Sequence, residues 1–340
     1  MNPKEAVIAL ASPRDLTRRE AASVMRSIMT GEATSAQVGA ILTALSMKGA
    51  KSEELAGFAG AMREFARPFP HGLAGPCIDT CGTGGDESGT FNVSTAAAFV
   101  VAGAGLPVVK HGNRSVTSRC GSADVLTALG AQLEINPEEM AGVLCSTGIA
   151  FLYAPLYHPA MKRVAGIRQE LGLKTIFNLL GPLTNPAGAR FQLLGVYRPD
   201  VIVTMAGVLR LLGAERAMVV HGGGLDEITT TGPTRVAELT AGGVREYSIE
   251  PGDFGIPLSD IADLRGGDTA ENARILREVL SGERGPARDA VLLNAGAAIS
   301  IGGLARSMAG GIALAEESID AGTAIGKLEA FIRGTREAQA

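Results

Sequence analysis

The chain has 340 residues, room for two domains or one large one, with 46% hydrophobic residues and a net charge of 31 − 35 = −4. So mild a charge, with no polybasic stripe, argues against nucleic-acid and membrane-surface partners. Aromatics make up 4%, tryptophan is absent and glycines number 45, so small residues must do much of the packing in a helix-rich α/β protein. Cys77, Cys81, Cys120 and Cys145 read as the reduced thiols of a cytoplasmic protein. The start, MNPKEAVIALASPRD, lacks the long apolar run of a secretory signal, and Gly103, Gly105 and Pro107 break the most apolar stretch before it could span a bilayer. His71, His111, His158 and His221 are scattered and never paired at the spacing of transition-metal ligands.

Residues 1–67 read as helices. Thr17 and Glu20, then Thr34 and Gln37, form two capping boxes; Ser52 is expected to cap a further helix through Arg67. Pro68, Pro70, Gly72, Gly75 and Pro76 end this region and suggest a hinge. The expected division is a helical domain over 1–70, joined by part of 160–190, and an α/β domain over 76–340. From Cys77 onward apolar runs alternate with helical segments, which implies a parallel sheet flanked by helices. Strands are expected around Cys77 and Ile78, at 106–110, 132–135, 192–196 and 217–220, and around 245–249. The segment 172–187, GLKTIFNLLGPLTNPA, reads as an insert returning to the helical domain. The tail from Asp268 is mostly helical, with capping signals at Asp268 and Ser281.

Two glycine-rich turns carry the chemistry. In the first, Gly82, Gly84 and Gly85 allow a sharp turn and close backbone approach to a ligand. One of Asn92, Ser94 and Thr95 is expected to cap the apolar helix at 96–102, whose N-terminus suits an anion. The strand after it brings Lys110 to the same rim. This reads as a phosphate-binding βαβ unit, although the loop fits neither GxxxxGK[ST] nor GxGxxG. Asp86 repels phosphate and fits a sugar hydroxyl or a metal instead. A glycine-rich turn before a capped helix is the plainer account of GTGGD by itself; the rest of the chain outweighs it. The second turn follows the 217–220 strand, as His221, three glycines and Leu225-Asp226-Glu227. Adjacent acids at a strand's C-terminal end suit Mg2+, which takes one or two carboxylates plus substrate phosphates; the alternative is an acidic helix N-terminus. The donors of 110–118 and Ser122 suit a polyphosphate or make a solvated loop, and Arg168 suits a planar carboxylate or is surface charge.

Taken in order, GTGGD (82–86), NVST (92–95), KHGNRSVTS (110–118), GSADVL (121–126), YHPAMK (157–162), the run from Arg168 through TIFNLLGPLTNP, and HGGGLDE (221–227) closely resemble the anthranilate phosphoribosyltransferases over nearly the whole length. The resemblance implies a small helical domain, a larger α/β domain, a cytoplasmic homodimer and transfer of phosphoribosyl from phosphoribosyl pyrophosphate to the amine of anthranilate, in tryptophan biosynthesis. It assigns phosphoribosyl pyrophosphate to Gly82, Gly85, Asp86, Thr90, Asn92, Val93, Ser94, Thr95, Lys110, His111, Gly112, Asn113, Arg114, Ser115, Val116, Thr117, Ser118 and Ser122. Anthranilate falls to Gly82, Asn113 and Arg168, with His111 and Pro182 as walls. Two Mg2+ per subunit fall to Ser94, Asp226 and Glu227, and no residue is expected to act covalently or as acid or base. Cys120 departs from the Ser or Ala common in the family, which touches only a minor loop contact. A pyrimidine nucleoside phosphorylase of the same architecture is the alternative, and a silent binding protein of the family would have lost Asp86, Asp226, Glu227 or Arg168, all of which this chain keeps.

Overall fold

The computed structural model describes residues 1–12, 14–73, 75–115 and 119–339. Four helices open the chain: α1 Pro3–Ala11, α2 Arg18–Thr30, α3 Ser35–Lys48 and α4 Ser52–Glu64. Both expected capping boxes form: the Thr17 and Thr34 side chains accept from the N–H groups of Glu20 and Gln37, whose own side chains return the bond. Ser52 does not cap α4. Lys51 holds the cap position, and the Ser52 hydroxyl donates instead to the carbonyl of Thr204 at 3.1 Å. The helix also stops at Glu64, short of Arg67, and 65–77 has no regular element among its described residues.

The sheet contains β1 Ile78–Gly82, β2 Val108–Gly112, β3 Ile149–Tyr153, β4 Phe191–Gly195, β5 Arg216–Gly222, β6 Thr234–Thr240 and β7 Gly243–Ile249, in the order β3-β2-β1-β4-β5-β6-β7. β3 through β5 are parallel, while β6 and β7 extend the edge as antiparallel strands. Two expectations fail here. Residues 132–135 pair with nothing in the sheet: Leu133 and Ile135 are buried with Gln132 and Glu134 exposed, a strand's alternation, but the Gln132 N–H goes to the Thr335 hydroxyl. The third parallel strand is β3, buried along its whole length after the left-handed Gly148 that ends a helix. Ser281 ends the helix Thr269–Leu280 rather than starting one, whereas Asp268 caps that helix as expected.

Successive strand residues face opposite sides, and the core divides accordingly. Leu193, Met218, Val220 and Val236 join α5 (Val93–Gly103) and the C-terminal helices; Leu194, Ala217, Val219, Ala237 and Leu239 join α1 to α4. Ile176, Phe177, Leu180 and Leu183 of the insert are buried with that second core. Chain order along the sheet reverses between β1 and β4. In open α/β sheets the crevice beyond the carboxyl ends of the strands at such a reversal is where ligands bind.

Candidate functional site

Both glycine-rich turns lie at that reversal. Gly82 ends β1 and Gly195 ends β4, side by side in register. A side chain on either would meet Asp226, which lies across them. A Cβ on Gly82 would come 2.4 Å from Asp226 Oδ2, and one on Gly195 1.6 Å from the Asp226 carbonyl oxygen. The Gly84 N–H donates to Asp226 Oδ2 at 2.7 Å, and the Ser94 N–H to Glu227 Oε1 at 3.1 Å. Two motifs more than 130 residues apart in the chain therefore meet directly. Glu227 lies at the start of α5, where the helix dipole favours negative charge. The acidic-terminus alternative thus describes a real contact, but the helix belongs to the other motif.

Asn92 takes the cap position of α5 without capping it; its side chain donates to the Cys120 carbonyl and accepts from Asn272. The N-terminal turn is thereby left to Glu227. The Val93 side chain lies in the core, and Thr95 Oγ1 is buried with no partner. Asp86 accepts from the Ser88 N–H and hydroxyl, and from the Asp226 N–H at 3.4 Å. Ser88 in turn bonds Thr90, which is bridged to Arg265. Three carboxylates therefore face one another. Burial, reinforced by the charge of Asp86, raises the pKa of Asp226; burial, reinforced by Asp226, raises that of Glu227. Such a cluster calls for a cation. Among the described residues no three His, Cys, Asp or Glu side chains are arranged to hold one unaided. The donors suit Mg2+, which completes its shell with substrate phosphates and water.

Lys110 is not a free cation at the rim. It is 3% exposed beneath α5, its ammonium donating to the Thr80 carbonyl and, at 3.2 Å, to the Ser94 hydroxyl. Burial lowers its pKa, against the opposing charges of Asp79, Glu227 and Asp226. Asp79, wholly buried, accepts from the His111 N–H at 3.2 Å and from the Asn185 side chain at 2.8 Å.

The loop after β2 is organised by Asp124, which accepts from Arg114, from the Ser115 N–H and from the Gly121 N–H. The Arg114 guanidinium also donates to the Tyr153 hydroxyl. Asn113 bonds its neighbour Arg114, and its carbonyl accepts from Ser122. A Cβ on Gly112 would meet Ser122 at 2.4 Å and the Phe151 ring at 2.6 Å. Val116, Thr117 and Ser118 lie outside the described residues.

Arg168, on the helix Lys162–Leu171, stands over the Phe177 ring at 5.4 Å; burial lowers its pKa, and it makes no ion pair among the described residues. Sequence reasoning missed two neighbours. His158 stood out only as one of four scattered histidines and inside the YHPAMK motif, yet its ring lies 5.1 Å from that of His111. Both Nε2 atoms are buried with no partner among the described residues. Burial pushes His111 down to about 3 and His158 to about 4, so both rings are neutral. Lys174, the other omission, reaches from the insert to the first glycine turn: its ammonium donates to the Gly85 carbonyl at 2.6 Å.

Residues 4–66 match the helical bundle domain, and 74–325 the α/β domain, of a glycosyl transferase family. An anthranilate phosphoribosyltransferase of Methanocorpusculum labreanum is 54% identical over 96% of each chain. The crystal structure of the enzyme of that name from Thermus thermophilus superposes with a TM-score of 0.93 at 44% identity, over 97% of this chain and 99% of that one. The Saccharomyces cerevisiae enzyme in complex with PRPP and Mg does so with a TM-score of 0.90 at 31% identity, over 98% of both chains. The yeast protein is also known in complex with 4-fluoroanthranilate.

Proposed function

This chain belongs to the anthranilate phosphoribosyltransferases, and on that premise we propose that it joins the amine of anthranilate to C1 of phosphoribosyl pyrophosphate and releases pyrophosphate. The observation that carries the reading is the meeting of the two glycine turns at the β1/β4 reversal, through Gly84 with Asp226 and Ser94 with Glu227.

An aromatic amine is neutral and nucleophilic at pH 7, so no strong base is required; the difficulty is the leaving group. The free N–H groups of the glycine turn and the N-terminus of α5 stabilise charge growing on pyrophosphate while C1 becomes cation-like. Asp226 and Glu227, with Ser94, would hold Mg2+, two ions per subunit in our reading, and bound Mg2+ supplies the charge that neutralises the diphosphate. Lys110 acts from beneath, holding Ser94 and balancing the acids. Asp86, tied to Ser88, suits a ribose hydroxyl or a metal-bound water. On the other side, Arg168 pairs with the substrate carboxylate, while Asn113, the two neutral histidines and Pro182 form the walls. Held neutral by burial, His111 and His158 bring no competing positive charge. Dimerisation through the helical domain, a cytoplasmic location and a hinge at 68–76 belong to the same proposal. Among the described residues no helix is long and apolar enough to cross a membrane.

The test is loss of anthranilate fluorescence when the protein is mixed with phosphoribosyl pyrophosphate and Mg2+. A stable signal, with phosphorolysis of thymidine in a parallel assay, would replace this reading by the phosphorylase one.

A further inference from the structure

The first glycine turn is held in an uncommon backbone conformation. Gly84 and Gly85 have φ of 63° and 78°, and Glu87, at 60°, is the only non-glycine with positive φ among the described residues. Residues in such regions persist where their surroundings over-determine them. Most of the turn's restraints come from its own neighbourhood, but one comes from the helical side. Lys174 has its carbonyl fixed by the Ser46 hydroxyl of α3 at 3.2 Å. Its ammonium donates to the Gly85 carbonyl at 2.6 Å, pairs with Glu87 at 3.1 Å and stands 4.9 Å from the centre of the Tyr197 ring, just beyond β4.

The Glu87 pair is exposed, with the carboxylate side chain 75% accessible, and an exposed ion pair contributes little. The bond to Gly85 is of another kind. A trans peptide is planar, so fixing the Gly85 carbonyl toward Lys174 directs the Asp86 N–H the opposite way. Among the described residues neither the Gly85 nor the Asp86 N–H has a protein acceptor. Consecutive N–H groups in such a turn make an anion-binding concavity.

We infer that Lys174 is a positioning residue: its ammonium, anchored on the helical layer, sets the Gly85–Asp86 peptide so that the Asp86 N–H faces the diphosphate. The inference rests on the phosphoribosyl transfer proposed above. It also gives the helical layer a direct influence on the affinity of the α/β domain for phosphoribosyl pyrophosphate.

The experiment compares full-length wild type with Lys174→Met, Lys174→Arg and Glu87→Gln. Calorimetry gives the Kd of phosphoribosyl pyrophosphate with Mg2+, kinetics give the KM of both substrates, and melting gives Tm. Lys174→Met is expected to raise both the Kd and the KM for phosphoribosyl pyrophosphate about tenfold, ~1.4 kcal/mol, with the anthranilate KM within about twofold and Tm nearly unchanged. Lys174→Arg should recover most of the loss, and Glu87→Gln should match wild type. Wild-type affinity in Lys174→Met would overturn the inference, as would an equal rise in both KM values with a fallen Tm. Should wild type bind phosphoribosyl pyrophosphate but fail to consume anthranilate, the functional reading fails while the Kd comparison still judges Lys174.

Discussion

Gly195→Ala is the substitution that most directly probes the junction of the two motifs. The added methyl would lie 1.6 Å from the Asp226 carbonyl oxygen and 2.4 Å from its carbonyl carbon, both backbone atoms that cannot rotate aside. Either β4 or the 222–227 turn must move by an ångström or more. Overpacking of this kind costs about 1–3 kcal/mol of stability, a Tm loss of only a few °C in a chain this long. The effect on turnover is expected to be larger, because a displacement of ~1 Å in a catalytic group can cost ~10²-fold. The assay is the anthranilate fluorescence decay at saturating substrates, alongside a melting curve. Gly326→Ala is the control, since that glycine lies in the helix Thr323–Gln339 with open space where a Cβ would go. Its expected effect is nil on rate and neutral or slightly favourable on stability. Wild-type kcat in folded Gly195→Ala would refute the argument that Asp226 must lie across β1 and β4.

Arg168→Ala should raise the anthranilate KM by ~10- to 100-fold, the worth of a charge-assisted hydrogen bond of about 1.5–3 kcal/mol, and spare the KM of phosphoribosyl pyrophosphate; the reverse pattern would move Arg168 to the other substrate. The two histidines make acid stability measurable. Their folded pKa values, about 3 and about 4, lie below the ordinary value, so below about pH 6.5 the unfolded chain takes up protons that the native state refuses. Stability should therefore fall between pH 6.5 and 4, and the unfolding free energy of His158→Gln from urea titrations should fall less, by about 2–3 kcal/mol between pH 7 and 4.5. Equal losses in both proteins would show that His158 is not held neutral.

Much of the site was legible because its signals are local. An apolar run followed by GTGGD or HGGGLDE marks a strand's carboxyl end and a turn that lets backbone approach a ligand, and both turns stand at the sheet reversal. Capping boxes at Thr17 and Thr34 need only residues three apart. Other features depend on partners far away in the chain. Residues 132–135 alternate like a strand, but no strand lies beside them to pair with. β3 shows no alternation because both its faces are covered, although Gly148 followed by an unbroken apolar run was a usable sign. The burial of Lys110 follows from α5 lying over it, and the place of Lys174 from the insert folding back onto the first turn. Asn92 had the right residue type for a cap; Cys120 and Asn272 took its side chain, and an acid from the second motif came to the vacant end.

The account turns on the acids of the second turn drawing a diphosphate to the first through Mg2+. Calorimetric titration of phosphoribosyl pyrophosphate, with and without Mg2+, into wild type and the doubly neutral Asp226→Asn/Glu227→Gln protein tests this most directly. Tightening by Mg2+ of at least about tenfold, ~1.4 kcal/mol, is expected in wild type and should vanish in the variant. Undiminished magnesium-assisted binding after both charges are removed would contradict it.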